Sequence, residues 1–453
     1  MRDPTTIFKG ARITQMGLGL LGRGIGDAAF LARHGAELIV TDLKPREALT
    51  SSIEALAPYP SITYRLGAHE LADFADRSLV LKGAGVPLDS PHIAHARNEG
   101  VPVDMSASLF ARIADIPMVG ITGTRGKSTV THVVAHLLRH DDRTVLLGGN
   151  VRGVSNLALL DEVTPDATAV FELDSWQLQG FGEERSLDAE GVRQGPHSPR
   201  IAVFTTFMRD HMNYYKGDME RYFEDKAQIF LHQKEGDILV VGRDILTLLE
   251  PYRQRIRARI VVADADDVPP AWSVPLLGAH NRYNVGIAIA VARELGVDDA
   301  AIRSGVSSIT PLPGRLEPVR TVGEVTIYND NNATTPDAAA AALSALDPEN
   351  KKCVVLIAGG AEKDIPVAPL LDGVRAHARA CVLLPGTGTE LLVREGGQEH
   401  FHRADTLEDA VTTALDLAQP GDCILFSPAF ASFGMFANEY ERNDRFIEYV
   451  NRL

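Results

Sequence analysis

The sequence predicts an α/β protein of three domains, each a mainly parallel sheet with flanking helices. Three observations carry that expectation. Short β-branched runs alternate with Ala- and Leu-rich stretches along all 453 residues, the pattern restarts twice, and two of its strands run into glycine turns that open helices. A chain of this length exceeds one ordinary hydrophobic core and divides into domains of roughly 100–200 residues.

The first series runs RITQMGLG, ELIVTD, ITYRLG, SLVLKGAG and VPVDM and stops near Ile116, a small Rossmann-like unit over residues 1–113. The second opens with PMVGITG and continues through TVLLGGN, TAVFELD, RIAVFTT, DILVVG and RIVVAD, closing with a helical stretch after Asn281. It is the largest domain, residues 114–312. After the turn-rich TPLPGR around Pro313, the runs VTIYNDN, VVLIAGG, CVLLPG and CILFSPAF form another Rossmann-like series over residues 313–453. Within the central domain, the stretch from Gly182 to Arg200 has the Gly, Pro and charge content of a mobile loop. Cys353, Cys381 and Cys423 each adjoin an apolar run and read as buried reduced thiols in strands.

Composition narrows the class. Apolar residues make up 45% and charged residues 23%, the balance of a folded soluble enzyme. Asp and Glu (60) outnumber Lys and Arg (45), so the chain would repel nucleic-acid phosphates, and no basic patch offsets this. No apolar run approaches the ~20 residues of a membrane span and the opening lacks a signal-peptide core. A cytoplasmic enzyme without nucleic-acid or membrane partners is expected.

Two glycine turns carry phosphate chemistry. Gly17-Leu18-Gly19-Leu20-Leu21-Gly22 is a G-x-G-x-x-G turn after a strand, with Asp42 twenty residues past Gly22 at the end of ELIVTD. The pattern fits a nucleotide diphosphate of some kind, with a tight structural turn as the alternative. The second turn, VGITGTRGKSTV, lacks the first glycine of the strict G-x-x-x-x-G-K-[ST] pattern because Ile121 stands there. It keeps Gly123, Gly126, Lys127 and Ser128: backbone amides, a cation for β/γ-phosphates and a hydroxyl for Mg²⁺. The following helix presents Val130, Val133, Val134, Leu137 and Leu138 as its apolar positions. The domain is therefore P-loop-like.

Further candidates lie at strand ends. Glu172, closing the strand of AVFELDSWQL, reaches the carboxyl edge of a parallel sheet, where a carboxylate can hold Mg²⁺ or simply charge a helix start. Asp210 and His211 follow IAVFTTF at a comparable edge. Lys226 lies within an apolar stripe of Met219, Tyr222, Phe223 and Phe230. Desolvation there would yield a neutral amine able to capture CO₂ as a metal-binding carbamate; the alternative is a stem whose ammonium reaches solvent. Arg315 in PLPGRLEPV and Lys363 in IAGGAEKD are cations in turn-rich loops that could clamp an anion.

In order and spacing, GLGLLG, GTRGKSTV, GGNVRG, FELDSWQL, DHMNYYKGDMERYFEDKAQIF, GAHNRYN, PGRLEPV, YNDNNATTPDA, IAGGAEKD and LFSPAFASFGMF resemble the Mur ligase family over nearly the whole chain. The resemblance implies a monomeric ATP-dependent carboxylate–amine ligase with two Mg²⁺ ions, adding D-glutamate to UDP-N-acetylmuramoyl-L-alanine in peptidoglycan precursor synthesis. By that likeness Gly123, Thr124, Gly126, Lys127, Ser128 and Thr129 hold ATP. Asn281, Asn284, Arg315 and Asp330 complete the nucleotide site. Ser128, Glu172, His211 and a carbamylated Lys226 would serve the metals, and Lys127, Glu172, His211, Lys226 and Arg315 form the catalytic set. Gly19, Leu20, Leu21 and Asp42 would take the UDP-sugar, with Asn150, Gln177 and His211 lining the path to its carboxylate. Thr334, Lys363, Ser432 and Phe433 would hold the incoming glutamate.

The sequence departs from the family pattern in places. Arg125 replaces the common loop asparagine, ELDSWQL the usual ELSSFQL, Gly314 a histidine, Phe430 a cysteine, and Asn332 a lysine found in many relatives. A ligase using L-glutamate or another amino acid is the nearest alternative. An NAD-dependent dehydrogenase would explain the first glycine turn alone, and a non-catalytic ATP-ordered scaffold only the second.

Overall fold

The computed structural model describes residues 3–20, 22–397 and 401–453. The chain folds into two compact units, Met1–Pro269 with Asn284–Gly305, and Pro270–Tyr283 with Val306–Leu453.

The first unit contains two sheets. In the first, β1 (Arg12–Met16), β2 (Glu37–Asp42), β3 (Thr63–Leu66), β4 (Leu79–Lys82) and β5 (Val103–Asp104) lie in the order β3-β2-β1-β4-β5, all parallel. The order reverses beside β1, which places the ligand crevice of such a sheet at the Gly17 turn. The second contains β6 (Met118–Thr122), β7 (Val145–Gly149), β8 (Thr168–Glu172), β9 (Ile201–Phe204), β10 (Ile238–Gly242) and β11 (Arg259–Ala263), ordered β11-β10-β9-β6-β8-β7 and again parallel. Every residue of β6, β8 and β9 is buried, as near-continuous apolar runs require when helices cover both faces. The reversal here falls at β6, between β9 and β8, so the second glycine turn and Glu172 share one edge.

A buried polar seam joins the two sheets. Asp27, on the helix Arg23–Arg33, accepts from the Ser155 hydroxyl (2.6 Å) and the Leu157 amide (3.3 Å). The Gly182–Arg200 stretch, expected to be a mobile loop, belongs to the same seam. Arg112, its side chain fully buried, pairs with Asp104 (2.9 Å) and donates to the carbonyls of Gly180, Glu183, Arg193 and Gly195. Ser186, Leu187 and His197 are buried within the stretch. Its backbone carbonyls satisfy one guanidinium, so the loop is packed down.

The second unit holds the third sheet: β12 (Glu317–Val322), β13 (Val325–Asn329), β14 (Val354–Gly359), β15 (Ala378–Leu384), β16 (Phe401–Arg403) and β17 (Cys423–Phe426), ordered β12-β13-β17-β14-β15-β16. Only the β12–β13 hairpin is antiparallel. All the strands read from sequence are present, whereas β12 and β16 escaped that reading. Both are edge strands, one carrying Pro318 and alternating half-exposed positions, the other three residues long, so neither leaves an apolar run. Cys381 is buried in β15, but Cys353 precedes β14 and, like Cys423, is only half buried; all three are free thiols. Among the described residues no helix is long and apolar enough to cross a membrane.

Candidate active site

The central glycine turn is shaped by what surrounds it. Gly123 has φ 146° and Gly126 φ 83°, and Gly126 caps the helix Lys127–His140 without a side-chain hydrogen bond. The predicted apolar face of that helix is buried at all five positions. A Cβ on Gly123 would lie 2.0 Å from the Thr205 hydroxyl, so only glycine fits there. Thr205 and Thr206, at the end of β9, brace the turn: the Thr205 hydroxyl donates to the Arg125 carbonyl (2.5 Å), and the Thr124 and Arg125 amides donate to the Thr206 carbonyl (2.7 Å) and hydroxyl (2.8 Å). Sequence reasoning passed over this pair, although two hydroxyls directly after a buried strand were visible in IAVFTTF. A Cβ on Gly126 would meet Asn284 Oδ1 at 2.4 Å, which places Asn284, itself buried, against the turn.

Two lysines converge on the same carbonyl. Lys127 Nζ donates to the Gly123 oxygen at 3.0 Å and to Thr124 at 3.3 Å, and Lys226 Nζ donates to Gly123 at 2.9 Å. Lys226 is 1% exposed and stands over the Tyr222 ring at 4.8 Å, so its stem does not reach solvent. Of its stripe, Tyr222, Phe223 and Phe230 are buried and Met219 is half buried. Burial, reinforced by the charge of Lys127, holds the Lys226 amine well below the usual lysine range, against the opposing pull of Asp174, Asp210 and Asp225.

Around this pair the predicted polar residues fall into two groups. Glu172, 5% exposed at the end of β8, accepts from the Asn150 side chain at 3.5 Å. Asn150 in turn accepts from Arg23 (2.6 Å), at the start of the helix that follows the first glycine turn. Gln177 forms a capping box with Asp174 at the start of the next helix, Ser175–Phe181. On the other side Arg125 pairs with Asp210 (2.9 Å), and His211, left-handed at φ 56°, stands 4.9 Å from the Trp176 ring. Ser128 is half buried and Thr129 buried in the first turn of the helix. Among the described residues no three His, Cys, Asp or Glu side chains gather into a metal-holding cluster.

At the first glycine turn, Asp42 is occupied by the chain itself. Its Oδ2 accepts from the Leu18 (2.9 Å) and Gly19 (3.1 Å) amides and its Oδ1 from Lys44 (2.9 Å). Burial pushes this carboxyl up, but the three amide hydrogen bonds and the Lys44 charge outweigh it and leave the pKa below the usual carboxylate value. The acid expected to take a ligand hydroxyl is therefore first a brace of the turn. Leu20 is 48% exposed beside it, and Leu21 lies outside the described residues.

In the second unit Asn281 donates to the Leu277 carbonyl (2.8 Å). Burial, with the nearby Arg315 charge, lowers the pKa of His280. Burial also pushes Asp330 up to about 7, against hydrogen bonds from the Ser427 hydroxyl (2.8 Å) and the Leu316 amide (3.2 Å). Lys363 donates to the Thr334 hydroxyl at 2.9 Å, joining two of the residues expected to hold glutamate. Ser432 is buried and Phe433 is 65% exposed on the loop after β17.

The Mur ligase middle domain matches residues 121–267, and the Mur ligase glutamate ligase domain matches residues 314–430. A UDP-N-acetylmuramoylalanine--D-glutamate ligase of Roseiflexus sp. (strain RS-1) is 34% identical over 97% of this chain and 98% of its own. The fold is shared with the UDP-N-acetylmuramate-alanine ligase of Thermotoga maritima (TM-score 0.60, 18% identity, 98% and 99% of the two chains covered). It is shared also with the MurF ligase of Thermotoga maritima in complex with ADP (TM-score 0.60, 15% identity, 100% and 99% covered). The buried lysine, the braced glycine turn and the full-length likeness lead to one assignment: this chain belongs to the Mur ligase family.

Proposed function

We propose that this enzyme is an ATP-dependent ligase that adds D-glutamate to UDP-N-acetylmuramoyl-L-alanine, with residues 1–113 holding the UDP-sugar, 114–312 the ATP and 313–453 the amino acid. The observation that carries the reading is the convergence of Lys127 and the buried Lys226 on the Gly123 carbonyl. The name of the 34% identical relative supplies the substrates.

In the first step an oxygen of the alanyl carboxylate bonds to the γ-phosphorus as the bond to the ADP oxygen breaks, giving an acyl-phosphate. In the second the glutamate amine attacks the acyl carbon and phosphate leaves. Little covalent chemistry falls to the protein, so its task is positioning and charge compensation. Lys127 brings positive charge to the transferred phosphoryl group, and the backbone of the turn, braced at Arg125 by Thr205 and Thr206, needs no reorganisation as charge develops. Asn150, Gln177 and His211 line the approach of the donor carboxylate, while Lys363 and Thr334 take a carboxylate of glutamate.

The donor set fits magnesium. Lys226 is a desolvated amine that can take up CO₂ as a carbamate, and with Glu172, His211 and Ser128 it offers mostly hard oxygen ligands. Bound there, two Mg²⁺ ions would neutralise the phosphoryl oxygens. Replacing Lys226 by alanine is expected to lower turnover by about 10³, with partial return in excess bicarbonate or chloride. The wild type, but not the variant, should show a carbamate carbon signal after incubation with ¹³C-bicarbonate. Equal signals would remove the carbamate role.

The deciding measurement is phosphate release with ATP, Mg²⁺ and UDP-N-acetylmuramoyl-L-alanine, adding D-glutamate, L-glutamate and other amino acids one at a time. Release that requires D-glutamate is expected. Release with another amino acid keeps the mechanism and moves the specificity; release with none rejects the ligase reading.

A further inference from the structure

Among the largest fully buried side chains of the described residues is a cation that the proposed reaction does not use. Arg442, on the helix Glu439–Arg452, is 0% exposed. Its surroundings are mainly oxygens of two loops. Nε donates to Asn331 Oδ1 (2.7 Å), one terminal nitrogen to the Asn331 carbonyl (3.1 Å), and the other to the Phe430 carbonyl (3.2 Å). Asn331 lies on the loop after β13, and Phe430 on the loop after β17. Both loops leave the sheet at its carboxyl edge, where their carbonyls have no strand to pair with, and a planar fork satisfies both at a fixed spacing.

The same loops carry the residues assigned to the acceptor. Thr334, bonded to Lys363, stands three residues past Asn331, and Ser432 two residues past Phe430. Arg442 also shares the wall of a small cavity with Gly359, Gly360, Ser432 and Phe433. A second tie runs in parallel, because the Asn331 side chain donates to the Glu439 carbonyl (2.9 Å) at the start of the same helix. Burial pushes the guanidinium down to about 10 against the pull of Glu439, so it stays charged at neutral pH.

A buried arginine held mainly by carbonyls is costly unless it fixes something that a neutral side chain could not. We infer that Arg442 is a positioning residue for the amino-acid acceptor: its fork sets the spacing between the loop of Thr334 and the loop of Ser432. This rests on the acceptor reading given above. Arg442→Lys keeps the charge and removes the fork, so it tests geometry apart from field.

The experiment measures KM for D-glutamate, ATP and UDP-N-acetylmuramoyl-L-alanine, with kcat and thermal midpoint, for the wild type, Arg442→Lys and Asn331→Ala. Arg442→Lys is expected to raise the acceptor KM about tenfold while the other two constants stay within about twofold. Asn331→Ala, which removes one acceptor of the fork, should move the same constant by less, and it carries the test if the lysine variant does not fold. All three KM values unchanged, or all three raised alike, would overturn the inference and leave Arg442 a purely structural residue. Absence of amino-acid-dependent release in the wild type would instead overturn the functional reading.

Discussion

The turns that open at Gly17 and Gly123 share a backbone plan within one compact unit. Each follows a central parallel strand, each ends in a glycine of positive φ that caps a helix (88° at Gly22, 83° at Gly126), and neither helix has a side-chain cap or an acidic residue in its first turn. Each helix even begins with a cation, Arg23 or Lys127, against the sense of its own dipole. The difference lies in what the side chains do next. Around the first turn an acid, Asp42, consumes the amides of Leu18 and Gly19, and Arg23 turns away to Asn150. Around the second the Thr124 and Arg125 amides are taken by the neutral carbonyl and hydroxyl of Thr206, and two lysine amines lean onto the Gly123 carbonyl. The same loop shape is thus closed on an acid of its own chain in one place and faced by two amines in the other. Charge, not the glycine pattern, separates them.

The largest test of that contrast substitutes the two helix-opening cations. Lys127→Met is expected to lower kcat/KM for ATP in the phosphate-release assay by about 10³, because a charge aimed at the transferring phosphoryl group is lost. Arg23→Met should cost no more than about tenfold, and chiefly in the KM for the UDP-sugar, since only its hydrogen bond to Asn150 goes. Equal losses would break the comparison.

The glycines themselves give a second, smaller contrast. Alanine at Gly126 would combine a left-handed φ with a Cβ 2.4 Å from Asn284 Oδ1, so the buried amide must move out of the turn. About a hundredfold loss of activity is expected. Alanine at Gly19 meets nothing within 4 Å and has only its φ of 65° to bear, about 1 kcal/mol of stability, with activity nearly kept. Kinetics and urea midpoints of the two variants decide it, and a Gly19→Ala enzyme as impaired as Gly126→Ala would show that the first turn also approaches phosphate closely.

These contrasts explain which parts of the molecule could be read from sequence. Strands buried on both faces announce themselves as apolar runs, so β6, β8 and β14 were legible, whereas β12 and β16 lie at edges where half-exposed residues erase the pattern. Lys226 was legible because a lysine inside an apolar stripe is a local contradiction, and its burial resolves that contradiction. The packed state of the Gly182–Arg200 stretch was not: its order depends on Arg112, some seventy residues earlier, and composition alone carries no such pairing. Asp42 was found by pattern, but its bonds to the Leu18, Gly19 and Lys44 amides were not, because a spacing rule cannot say which groups of its own chain a carboxylate takes. Arg442 left no pattern at all, since its partners are two backbone carbonyls and one side-chain amide oxygen contributed by remote loops.

Asp42 also sets the smallest and sharpest prediction. Its folded pKa lies below the unfolded value because three amides donate to the ionised form. A depressed carboxyl contributes stability that is present above the unfolded pKa of about 3.9 and is lost as pH falls through the lower folded value. Asp42→Asn keeps one acceptor oxygen and loses the charge, so it should cost about 1–2 kcal/mol at pH 7. That cost should shrink below about pH 4, as the carboxylate of the unfolded wild type and then that of the folded protein become protonated. Urea midpoints of both proteins at pH 6 and near pH 3.5 check the sign. If Asp42 were instead held for a ligand hydroxyl, the unliganded variant would match the wild type at pH 6 and differ only in its KM for the UDP-sugar, and the first turn would then resemble the second in facing its chemistry outward.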